Sequence, residues 1–270
     1  MTSASNQRIA IVSEGIEISI RPCDTLDELH ACVGLQKEVW QFPDIDVVPV
    51  RMFVVAQKIG GQVIGAFAGD RLAGFVLAIP GAHGTTSYLH SHMLAVLPEF
   101  RNLGLGRRLK LAQRDDALLR GFDLIEWTFD PLEIKNAYLN VQKLGAIARR
   151  YSIDHYGSSS SPLQGGLPTD RLIAEWWLHS KRVMAAVEGE GLPRINVQKS
   201  ILVPAAIYEW KKSDAERGRA KSVQLENREA LLSAFKAGLS VLGYERDPLG
   251  NGAFQLGHWD ENLNFIEPIP

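Results

Sequence analysis

Ala95-Val96-Leu97-Pro98-Glu99-Phe100-Arg101-Asn102-Leu103-Gly104-Leu105-Gly106-Arg107-Arg108-Leu109 is the stretch on which the reading of the chain turns. Before it, residues 87–96 read as a strand; after it, Leu105, Leu109, Ala112, Ala117 and Leu118 recur at helical spacing until Gly121 stops them. Two glycines at a strand-to-helix junction let the backbone curl closely. Consecutive amide N–H groups and the positive end of the helix can then bind a pyrophosphate. Arg107, Arg108 and Lys110 add positive charge in the first turn, where cations oppose the helix dipole, and an anionic ligand would remove that conflict. No Gly-Lys-Ser/Thr follows, so this is not a Walker loop, and it is not the GxGxxG dinucleotide fingerprint. An ordinary strand-to-helix turn is the competing reading.

Working outward, Ile16–Arg21 alternates with period two, as a half-buried strand does. Asp24, Thr25 and Asp27 offer caps for a helix over 26–40, whose apolar face is Leu29, Ala31, Cys32, Leu35, Val39 and Trp40. A second helix is expected over 50–57, then a hairpin of 63–69 and 72–79 about Asp70-Arg71. Beyond the glycine loop come a strand over 124–129, a helix from Asp130-Pro131 to Lys143 ended by Gly145, and strands over 146–155 and 170–180. The loop 157–168 between those last two is rich in Ser and Gly and is a candidate lid over an acceptor. The remainder reads as a strand over 200–208, a long charged helix over 215–239 and two strands within 241–257. The expected class is mixed α/β (α+β), with a first domain over 1–183. Residues 184–270 form a C-terminal α/β extension or degenerate second lobe.

Val96, Pro98, Arg101, Gly104 and Gly106 occupy every fixed place of V-x-P-x-x-[RQ]-x-x-G-x-[GA]. That pattern, with the element order over residues 16–180, resembles the acyl-CoA-binding motif of the GNAT superfamily of N-acyltransferases. The resemblance covers about two thirds of the chain and implies a mostly antiparallel twisted sheet flanked by helices, with acetyl-CoA or another acyl-CoA as co-substrate and no metal. It further implies that two central strands splay around the pantetheine and that the Val96 N–H polarises the thioester carbonyl. The implied cofactor-binding set is Leu94, Val96, Arg101, Asn102, Leu103, Gly104, Leu105, Gly106 and Arg107. In many members a tyrosine sits four residues before the glycine that ends the later helix, as general acid. Val141 stands there in this chain, and Tyr138, one turn earlier, is the candidate substitute.

An amine nucleophile must shed its ammonium proton, so a base titrating near neutrality is wanted. His90 and His92 share one strand face with residues 94 and 96 and are the preferred candidates, either of which could instead be a core histidine. Glu126 is a carboxylate rival on the next strand, with Asp130 and Glu133 just beyond it. Trp176 and Trp177 point to opposite sides of their strand, so one is expected in the core and the other in a cleft. Arg149 and Arg150 read as a solvated pair or as contacts for an acidic acceptor or acyl chain.

A formal charge of −2 excludes the broad basic excess of nucleic-acid binders. Two cysteines are too few for a disulfide framework and show no metal-ligand spacing. No signal-peptide pattern opens the chain and no stretch of about 20 apolar residues follows, so a cytoplasmic protein without a membrane partner is expected. The expected partner is a small-molecule amine acceptor, with the C-terminal region a candidate for homodimer formation.

Overall fold

A computed structural model of the chain describes residues 9–13, 16–157 and 164–259. By compactness it divides into two units, residues 1–125 and 126–270.

In the first unit, strands β1 (Ile9–Ser13) and β2 (Ile16–Pro22) are followed by helices α1 (Leu26–Trp40) and α2 (Val50–Lys58). Three longer strands come next, β3 (Gln62–Ala68), β4 (Arg71–His83) and β5 (Thr86–Val96), and then α3 (Leu105–Leu119). The five strands pair antiparallel in chain order. The strand β1 falls where the sequence reading assigns no element. Its five residues are too short to show a period and gain their bonds from β2, Ile9 facing Ile20.

The core of this unit lies between the sheet and α1, α2 and α3. Leu29, Cys32 and Leu35 enter it from α1, Phe53 and Ala56 from α2, and Leu105 and Leu109 from α3. Phe53 and Phe75 meet edge to face at 5.7 Å, a geometry that adds about 0.5–1.5 kcal/mol beyond area burial.

The start of α1 is a complete capping box: Glu28 N–H donates to Thr25 Oγ1 at 3.2 Å, and the Glu28 carboxylate accepts from Thr25 N–H at 3.2 Å. Arg21 reaches the same carboxylate, and its hydrogen bond, supported by N–H donors of Asp24 and Thr25, lowers the Glu28 pKa to about 2. Because the folded value lies below the unfolded one, the stabilisation is full above the unfolded pKa and disappears as pH falls through about 2. Denaturant unfolding of native protein and Glu28→Gln from pH 6 to 2 should show a gap of about 1–2 kcal/mol that closes with acid. A gap independent of pH would refute this account.

In the second unit β6 (Leu124–Phe129), which spans the division, leads into α4 (Ile134–Ala137) and directly into a π-helical turn, Tyr138–Lys143. Then follow β7 (Ile147–Ser152), β8 (Arg171–Trp177), α5 (Lys181–Glu188), β9 (Lys199–Val203) and α6 (Ile207–Lys212). The chain ends in α7 (Arg217–Lys236), β10 (Leu239–Arg246) and β11 (Gly252–His258). The strand order is β6-β8-β7-β10-β11-β9. The strands after residue 183 therefore extend the sheet begun before it, Val241 of β10 facing Ala148 of β7. Residues 204–208, expected to continue the strand, turn at Pro204 and enter α6.

Buried charges tie this unit together. Fully buried Asp170 accepts from Arg228 Nε at 2.8 Å and from Tyr151 Oη at 2.6 Å, clamping α7 to β7. Lys211 donates to Asp130 at 3.2 Å and Glu133 at 2.9 Å, which commits both carboxylates to an ion pair. Arg182, 2% exposed, donates to the carbonyls of Gly145 and Leu242. Its charge meets the C-terminal end of the π turn, where cations are favourable. Among the described residues no helix is long and apolar enough to cross a membrane.

Candidate active site

The glycine-rich stretch connects β5 to α3. Leu97 N–H donates back to Ala73 of β4 at 2.9 Å, and a 3-10 turn begins at Pro98, Phe100 N–H donating to Leu97 at 3.0 Å. Leu97, Phe100, Leu105 and Leu109 are all buried, so apolar anchors on both sides hold the connection to the core. Between them Asn102 and Gly104 take left-handed φ values of 64° and 73°. Gly104 is the N-cap of α3; no side chain caps the helix, and its first turn has no acidic residue. This reverses the usual preference for a capping oxygen and early carboxylates, and leaves successive amides beside Arg101, Arg107 and Arg108 as a nest for an anion.

Glycine is required at 104 by its backbone, but the space there is open, with no atom within 4 Å of a Cβ. At Gly106 a Cβ would meet only Leu94 Cδ2 at 3.9 Å, an ordinary contact. The protein itself thus has no packing reason for glycine at 106. Close approach of a ligand to the backbone would favour a small residue there, and the donor set fits the pyrophosphate of an acyl-CoA.

Strand β5 orders its polar groups by alternation. Because Leu97 is hydrogen-bonded to Ala73, the preceding non-bonded pairs place the Val96 and Leu94 N–H groups on the edge of β5 away from β4. One step of β4, from Leu77 to Ala78, faces two of β5, from Met93 to Ser91. The extra residue of this bulge is His92. Its ring keeps an open edge to solvent and lies 6.1 Å from that of His90. Surrounding protein nevertheless desolvates it enough to lower its pKa below the ordinary histidine value.

Lys110, expected among the loop cations, lies elsewhere. It is buried, donating to Ser91 Oγ at 3.0 Å and Gln113 Oε1 at 2.7 Å. Lys110 and Gln113 occupy successive turns on the strand-facing side of α3, so the residue type suggested the loop while its helical position set its direction.

The remaining candidates belong to the second unit. Glu126 is buried and bonded by Arg150. A bulge in β7, with Ala148 facing Ala174 and Arg150 facing Ile173, turns both Arg149 and Arg150 toward buried Glu175. The expected solvated arginine pair is therefore an ion-pair lattice. Trp176 is buried against Trp127, and Trp177 donates to Glu175 at 3.2 Å. Tyr138 opens the π turn with Lys143 Nζ 5.4 Å and the Arg246 guanidinium 5.6 Å from its ring centre, while Val141 is buried. Residues 158–163 of the expected lid lie outside the described residues.

Residues 29–138, which contain the loop and both histidines, match the model of the acetyltransferase (GNAT) family. The chain thus carries a GNAT acetyltransferase domain over those residues. It is accordingly an acyltransferase enzyme. No curated protein gives a significant sequence match. Solved structures similar to this chain include the ribosomal-protein-S18-alanine N-acetyltransferase of Escherichia coli, at 19% identity and TM-score 0.46, covering 58% of this chain and 92% of that one. Another is yncA from Salmonella typhimurium with its cofactor acetyl-CoA, at 16% identity and TM-score 0.48, covering 60% and 94%. A third is an aminoglycoside acetyltransferase from an uncultured soil sample in complex with sisomicin, at 14% identity and TM-score 0.40, covering 44% and 82%.

Proposed function

We propose that this GNAT enzyme transfers an acyl group, acetyl in the first instance, from acyl-CoA to a primary amine of a small molecule or amino acid by direct attack. The observation that carries the reading is the pair of glycines at the head of α3, open to close approach and flanked by arginines. Bound acyl-CoA supplies a thioester whose thiolate leaves readily. In this reading the amides of 101–107, with the Arg101 and Arg107 side chains, hold the pyrophosphate, and the Val96 N–H donates to the acyl carbonyl oxygen, where charge develops.

His92 is the base. An amine acceptor arrives as ammonium, and a ring whose pKa is held below the ordinary histidine value is neutral and able to take that proton near pH 7. His90 is the second candidate. The Glu126 carboxylate is held by Arg150, which makes it the weaker choice. Tyr138 is the candidate donor to the departing thiolate, since Val141 has no proton to give.

Calorimetry with CoA, acetyl-CoA and succinyl-CoA tests the donor site. The acyl-CoA that binds tightest then enters a screen of amino acids, aminoglycosides and short peptides, read as release of free CoA thiol. Saturable binding with turnover on a small amine is the expected result. Failure of all three to bind would overturn the reading, and turnover confined to peptides would replace the acceptor class.

A further inference from the structure

The buried amine of Lys110 has no part in the chemistry above, yet it sits at a telling place. It projects from the second turn of α3, whose first turn carries the glycine loop, and bonds Ser91, the residue next to bulged His92. Gln113, its other acceptor, is tied through its own carbonyl to Gln62 of β3 at 2.9 Å, and Gln62 also donates to Asp116 of α3 at 2.6 Å. A polar chain thus runs from β3 through α3 to the one point of β5 where the ladder with β4 slips by a residue.

We propose that Lys110, acting through Ser91, is a positioning residue that holds the β5 bulge and thereby sets the direction in which His92 is presented. A bulge leaves one residue without its regular ladder partner, so something outside the ladder must fix its geometry. Ser91 faces inward and His92 outward, so a bond to the Ser91 hydroxyl fixes one side of the bulge from behind. Burial drives the Lys110 pKa well below the ordinary lysine value, favouring the uncharged amine and making a side chain of this length tolerable in the interior. The same helix would then register the glycine loop and the base against each other. This inference rests on the reading of His92 as base.

The test compares Ser91→Ala, Ser91→Thr and Lys110→Met in the full chain. Imidazole resonances of His92, assigned by their loss in His92→Ala, report the ring directly, and kcat with its KM for acetyl-CoA reports catalysis on an amine from the screen. Ser91→Ala should move the His92 resonances and lower kcat about tenfold, equivalent to about 1.4 kcal/mol, with KM for acetyl-CoA unchanged. Threonine should restore both, and Lys110→Met should reproduce the alanine effect. If the methionine variant does not fold, the Ser91 pair decides alone. His92 resonances at native positions in Ser91→Ala would overturn the inference. Resonances that move while His92→Ala retains full turnover would instead uphold the held bulge and remove the base assignment.

Discussion

Gly106→Leu is expected to leave the protein folded, while acetyl-CoA affinity falls about 100-fold, or about 2.7 kcal/mol. Two observations separate the effects. Gly106 lies in the first turn of α3, at a position where a new Cβ meets only Leu94 Cδ2 at 3.9 Å. Leucine has a higher helix propensity than glycine, by roughly 0.5–1 kcal/mol. Its side chain, unlike the alanine methyl that the motif admits at this place, would stand where a pyrophosphate must approach the amides, so the cost falls on binding. Gly104 cannot make this distinction, because its φ of 73° strains any substitute. Melting temperature and acetyl-CoA calorimetry on the Gly106 variant check the result together. Unaltered affinity would mean that the loop is only a turn.

His92→Ala should bind acetyl-CoA as the native enzyme does and lose roughly 10²–10⁴-fold in kcat, the usual range for removal of a general base. The pH profile carries the sign. Desolvation disfavours the imidazolium, so the His92 pKa lies below the ordinary value of 6.5. With His92 as base, kcat rises as pH climbs through that lowered value and is level at neutrality. The limb should disappear in the variant, whereas a His90→Ala enzyme should keep it. Loss of the limb in His90→Ala alone would transfer the role to that neighbour. A native limb in both variants would remove the base from this strand.

The loop and the helix after it were legible because they depend on local chemistry. Glycine at 104 meets a left-handed φ, Pro98 opens a turn, and the apolar spacing from Leu105 carries α3. The cap at Thr25 is legible for the same reason, since it lies within one turn of the amide it accepts from, whereas the return bond from Glu28 is seen only in the structure. What escaped depends on partners far away in the chain. No residue type announces a bulge, so the slip at His92 emerges only when β4 and β5 are paired. Glu126 appears in sequence as a carboxylate among apolar neighbours; its Arg150 lies 24 residues on, brought to it by another bulge. The pairing of Val241 with Ala148 joins segments with no local mark of their association.

That pairing has an implication for how such a chain could have grown. Strand β7 is bonded by β8 on one side and β10 on the other. Without residues 184–270 it would present a row of open amides and carbonyls, the template on which foreign strands polymerise. The last third therefore covers an edge as well as extending a sheet, and a chain cut before it is expected to self-associate.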